Sequence, residues 1–122
     1  MKGLIKTGLK FTTIAALSVA SFTAVADLHR SNWTTVQTLL VHDTEFGGCM
    51  ARLAVSMKDV SGGICGDWVA FSCTGELNDV TTAQRLYESV QIAYLTQKEV
   101  KIQVDDNRQH NGHCVATRID FQ

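Results

Sequence analysis

The chain has 122 residues, 45% of them hydrophobic, with four cysteines, no proline and a formal net charge of −1. Three of its eleven basic residues, Lys2, Lys6 and Lys10, stand ahead of Asp27 with no acidic residue among them, which leaves eight basic against twelve acidic side chains and a charge of −4 in residues 27–122. An acidic domain without a basic stripe repels phosphate backbones and anionic head groups, so nucleic-acid and membrane-surface roles are excluded from the reading.

The order of the first 26 residues is a basic start, the apolar stretch Phe11 to Phe22, and the small-residue site Ala24-Val25-Ala26 before Asp27. This predicts a secretory signal peptide of bacterial type, residues 1–26, followed by a single exported domain, residues 27–122. The apolar stretch falls short of the roughly 20 residues a bilayer-spanning helix needs. The expected location is periplasmic or extracellular, with no membrane insertion after cleavage.

Beyond Asp27, Trp33 to Val41 is rich in β-branched and large apolar residues and stops at His42-Asp43, which predicts a first strand. Gly47-Gly48 opens Cys49 to Met57, whose odd positions are apolar or Cys, the pattern of a half-buried second strand. Lys58 to Gly63 carries turn chemistry, and Trp68 to Cys73 is a third short apolar run. Three strands joined by short loops predict an antiparallel meander. The period then changes: Val80, Ala83, Leu86, Tyr87, Val90, Ala93 and Tyr94 recur at three- and four-residue steps and predict a helix over 80–95. Asn78, Asp79 and Thr81 all suit its N-cap, Thr81 with Gln84 as a capping box. Val100 to Val104 and Cys114 to Phe121 predict two closing strands, with Asp105 to His113 as the loop between them and Asn111-Gly112 as a strong turn pair.

Three strands, a helix and two strands make a mainly β fold, best accommodated by a five-stranded Greek-key barrel of the OB type with its helix between strands three and four. A small α+β antiparallel sheet with one helix is the alternative. Cys49, Cys65, Cys73 and Cys114 have no CxxC spacing. An even count in a small exported domain predicts two structural disulfides, for which three full pairings exist.

The sequence has no GxSxG, HExxH, P-loop or GxGxxG signature, and its carboxylates are scattered except at Asp105-Asp106. A non-enzymatic binding protein is expected, with no catalytic residue and no cofactor. His110 and His113 would need sharply turned backbone to share an ion, so no metal site is assigned. Trp68 and Phe71, in a short apolar run, are expected in the core, and Tyr87 and Tyr94, on the helix stripe, against the sheet. Trp33 stands at a strand edge among polar neighbours. It and its flanking residues, Asn32 and Thr34, are the candidate ligand contacts.

The segment Leu86-Tyr87-Glu-Ser-Val-Gln-Ile-Ala93-Tyr94-Leu-Thr96-Gln-Lys-Glu-Val100-Lys-Ile102, with Val36 to His42 as a second match, resembles the receptor-binding B subunits of subtilase cytotoxin and typhoid toxin. The resemblance implies an OB-fold protomer, a ring of five, and recognition of cell-surface glycans. It also implies that Cys49 pairs with Cys73, leaving Cys65 to meet Cys114. The family's glycan pocket uses a serine just before strand one, where this chain has Asn32-Trp33-Thr34-Thr35 and, nearby, Ser31. The competing expectation is a periplasmic protein-interaction module, an inhibitor or envelope assembly factor, that takes an envelope protein through an edge strand or a loop.

Overall fold

A computed structural model of the chain describes residues 27–122 and, ahead of them, Gly3, Gly8, Ala15, Ala16 and Ser18; the expected signal peptide otherwise lies outside the described residues. From Asp27 the elements are β1 (Leu28–Arg30), β2 (Val36–Val41), β3 (Cys49–Leu53), α1 (Met57–Val60), β4 (Val69–Ala70), α2 (Val80–Thr96), β5 (Val100–His110) and β6 (His113–Phe121). The six strands form one mixed sheet in the order β1-β5-β6-β4-β3-β2. Neighbours are antiparallel except β4 and β6, which run parallel through the single pair Ala70 with Val115.

The predicted meander is present as β2, β3 and β4, but its first strand begins at Val36 rather than Trp33, and a separate, unpredicted strand, β1, precedes it. Leu28 to Arg30 pairs with β5, and Thr34 exchanges both backbone hydrogen bonds with Val100, at 2.9 and 2.8 Å. From Val36 onward the chain pairs with β3 instead. Consecutive residues 28–41 therefore supply both edges of the sheet, which raises the strand number from the expected five to six. The second predicted strand stops at Leu53 rather than Met57, because the Ser56 side chain accepts from the Lys58 N–H and starts the turn of α1.

The predicted loop Asp105 to His113 is instead a continuation of β5 and β6. Only Asn111 and Gly112 turn, with φ of 51° and 84°, the positive values a two-residue type I′ hairpin requires. The surplus polar residues are absorbed in an irregularity between Asp105 and Gln109. There the Arg108 Nε donates to the buried Asp105 carboxylate at 2.9 Å, and its guanidinium reaches the Leu77 carbonyl and Asn78 Oδ1 at 2.7 and 2.8 Å. This interior partnering, absent from the local sequence pattern, keeps an acidic segment in the sheet.

Helix α2 matches its periodicity. Of the three candidate caps Asp79 serves, accepting from the Thr82 N–H at 3.0 Å and the Thr82 hydroxyl at 2.6 Å, which holds its carboxyl below the usual carboxylate range. Ala83, Tyr87, Val90 and Ala93 close over one sheet face made by Cys49, Ala51, Leu53, Val69, Phe71, Ile102, Val104, Cys114 and Ala116. Phe71 is fully buried and meets Tyr87 edge-on with ring centroids 5.3 Å apart. The Tyr87 hydroxyl donates to the Leu40 carbonyl, and burial raises its pKa. Tyr94, expected against the sheet, is exposed and borders an open groove with Leu39, Ile92 and Leu95.

The two cystines are Cys49–Cys73 and Cys65–Cys114, with Cα separations of 5.7 and 5.4 Å. This is the pairing the resemblance implies. Both flank β4, whose two residues give it little ladder of its own. Cys73 ties the chain after β4 to β3, and Cys65 ties the chain before β4 to β6. β4 is thus covalently stapled to the strand on each side of it, β3 and β6.

Candidate functional site

Strand alternation sends successive side chains to opposite faces. Where β3 puts Cys49, Ala51 and Leu53 under α2, Met50 and Arg52 emerge on the other face. Around β4, Val69 and Phe71 go under the helix while Trp68 and Ala70 go outward. The register aligns Leu40 with Met50, Met50 with Ala70 and Ala70 with Val115, a row of four apolar residues crossing β2, β3, β4 and β6. Met50, Ala70 and Val115 are buried, although they lie outside the main core, because Phe46, Trp68 and Leu77 pack over them.

This second cluster is open on one side. Leu40, Phe46, Met50, Trp68 and His113 line a cleft of about 250 Å³. Trp68 also lines a more polar cleft of about 320 Å³ with Arg52, Leu53, Ala54, Ser56 and Asp67, where the Ser56 hydroxyl donates to the Asp67 carboxylate. Trp68 is therefore shared by an apolar recess and a recess carrying a cation, a carboxylate and a hydroxyl. Sequence reasoning placed Trp68 in the core with Phe71. The alternation that buries Phe71 puts Trp68, three positions earlier, on the opposite face, where it is half-buried.

Two histidines flank the β5–β6 turn, and one of them, His113, lines the apolar cleft. His113 Nδ1 accepts from the Trp68 N–H at 3.2 Å, and burial depresses its pKa, with the Asp67 carboxylate opposing the shift. A neutral ring with Nδ1 accepting carries its proton on Nε2. His110 Nε2 lies 2.9 Å from the buried Ser72 hydroxyl. Each ring rests against a glycine. A Cβ at Gly66 would collide with His113, and one at Gly47, where φ is +70°, would come within 2.6 Å of His110. The pair of glycines is the sequence signal for this packing, but nothing local pairs them with the histidines.

The triplet Asn32, Trp33 and Thr34 lies elsewhere, where the chain crosses from β5 to β3. Asn32 is exposed; Trp33 is half-buried with the Lys101 ammonium 4.9 Å from its ring centroid. Thr34 is buried, its Oγ1 accepting from the Val55 N–H at 3.2 Å. Ser31 is buried too, and its hydroxyl accepts from the Ile102 N–H at 3.0 Å. Thr34 and Ser31 thus give their oxygens to backbone groups, and the ring of Trp33 has a cation beside it. The residues lining the two clefts at Trp68 include none of the triplet.

A third concavity of about 540 Å³ runs along α2, lined by Leu39, Glu88, Gln91, Ile92, Tyr94 and Leu95, with Leu95 78% exposed. Among the described residues, no group of three or more His, Cys, Asp or Glu is arranged to hold a metal ion, and no helix is long and apolar enough to cross a membrane. No protein-family model, characterised protein or solved structure matches the chain.

Proposed function

We propose that this chain is an exported, non-enzymatic binding domain built as an OB-type barrel, and that it recognises a cell-surface glycan at the face centred on Trp68. Support for the barrel comes from the sheet edges. β1 and β2 are consecutive stretches of one segment at opposite edges, so the sheet closes through Thr34, and counting that segment once leaves five strands. The parallel meeting of the third and fifth of these, and the helix between the third and fourth, fit the same reading. Support for export comes from the two cystines and the leader-like N-terminus.

One observation carries the ligand class: the half-buried Trp68 borders both an apolar recess and a recess with Arg52, Ser56 and Asp67. A sugar ring has an apolar face that stacks on an indole and a rim of hydroxyls that needs carboxylate, guanidinium and hydroxyl partners. In OB proteins the outer face of strands two and three, with the loops flanking it, is where oligosaccharides and oligonucleotides bind, and the acidic charge disfavours the latter. The neutral His113 supplies an Nε2–H donor beside the apolar recess.

The toxin-subunit resemblance adds the expectation of a ring of five, and the exposed apolar groove along α2 favours a protein contact there, with another copy or with an envelope protein. The test is glycan-array binding by the oxidised domain, residues 27–122, with its mass measured by light scattering. Trp68→Ala should abolish the signal, and Trp33→Ala should preserve most of it. Loss confined to Trp33→Ala would move the contact to Asn32, Trp33 and Thr34. A monomer with no glycan signal would sink the reading in favour of a protein-interaction module.

A further inference from the structure

The Asp106 side chain is 10% exposed and both its oxygens are engaged: Oδ2 lies 3.0 Å from His29 Nε2, and Oδ1 accepts from the Asp27 main-chain nitrogen at 3.3 Å. The contact is reciprocated by the backbone, since the Asp106 N–H donates to the Asp27 carbonyl at 3.1 Å. Asp27 is also the residue that follows the small-residue site Ala24-Val25-Ala26. We infer that cleavage between Ala26 and Asp27 creates the missing charged partner of Asp106, so that the new α-ammonium docks on this carboxylate and fastens β1 to β5.

The inference rests on the reading of residues 1–26 as an export signal. In the uncleaved chain the Asp27 nitrogen is an amide, with one N–H and no charge. Hydrolysis of the Ala26–Asp27 peptide bond adds one water, leaving a carboxylate on Ala26 and an amine on Asp27 that is protonated at neutral pH. A largely buried carboxylate holding only an amide and an imidazole then gains a full cation as a partner, and charged hydrogen bonds are about twice as strong as neutral ones. The groups facing that ammonium are the Asp106 carboxylate and, beyond it, the His29 imidazole on the same strand. Both ends of the closure lie on β1 and β5, so processing locks the edge on which the sheet depends.

The sign of the pH dependence follows. An α-amine in a free chain has a pKa of about 7.7–8.0, and a carboxylate partner raises it in the folded state. The stabilisation is therefore full below that range and disappears as pH rises through the folded value.

The experiment compares oxidised chains released from an N-terminal fusion to begin either at Asp27 or at a glycine placed before it. At pH 6.5 the chain beginning at Asp27 should melt about 4–8 °C higher, the shift that a difference on the order of 1 kcal/mol produces in a domain of this size. The gap should close at pH 10 and in an Asp106→Asn background. Equal melting at pH 6.5, or a gap that survives both changes, overturns the ammonium pairing. Separately, the intact mass of the protein exported from the full precursor should correspond to a start at Asp27. A different start overturns the assigned cleavage while leaving the melting comparison to judge the pair.

Discussion

The β5–β6 hairpin and β4 solve the same problem in opposite ways. β5 and β6, eleven and nine residues long, share an extended ladder around a two-residue turn and need no covalent support. β4 has two residues, one of which makes the sheet's single parallel pair, and a cystine flanks it on each side. Where the ladder is long, hydrogen bonding and alternation fix the register. Where it is two residues long, cross-links do. The face proposed for ligand binding lies over the second kind of region, so its geometry depends on the cystines more than on the ladder.

Breaking the staples should have the largest effect. Replacing Cys65 and Cys114 by serine, or Cys49 and Cys73, opens loops with sequence separations of 49 and 24 residues, each worth about 3–4 kcal/mol in the chain-entropy model. Urea titration should show a loss of that order for either pair. Near-equal stability of the oxidised and fully reduced protein would refute the view that β4 is held covalently.

The next test contrasts the two faces of β4. Phe71→Ala leaves a cavity in the main core and should cost about 3–5 kcal/mol, whereas the half-buried Trp68→Ala should cost about half as much while removing ligand binding. If thermal melting ranks the two variants the other way, the outer cluster is a second structural core and not a recognition face.

The smallest effect concerns pH. His113 is held neutral by burial, so its folded pKa lies below the ordinary 6.5. Its contribution is complete above that value and is lost as pH falls through the depressed folded value, because the unfolded chain binds the proton more readily. His113→Gln should flatten the stability profile between pH 7 and pH 5, leaving the loss due to Asp79 at lower pH. Parallel profiles for the two proteins would show that His113 does not titrate with folding.

Helix α2 was legible because seven apolar residues at helical steps have no second interpretation, and β3 and the start of β5 because their alternation is clean. The cystine partners came through the resemblance. The outward position of Trp68 was hidden because the two-residue β4 is apolar on both faces, which erases the alternation that would have sorted Trp68 from Phe71. Asp105 to His110 read as a loop because the groups that anchor Arg108, the Leu77 carbonyl and Asn78 Oδ1, come from a distant part of the chain. Leu28 to Arg30 is too short and mixed to announce a strand, and its pairing with β5 is a property of tertiary closure.

That closure also sets a sequence in time. The Asp27 and Asp106 contact spans 79 positions, whereas β2, β3 and β4 pair with near neighbours. If the chain is exported as proposed, it emerges with β1 first, yet β1 is among the last strands to find its partner. The meander can assemble, and Cys49 can meet Cys73, while β5 is still on the far side. Until β5 and β6 arrive, the first residues to reach the outside remain an open strand that a chaperone or a second emerging chain could capture.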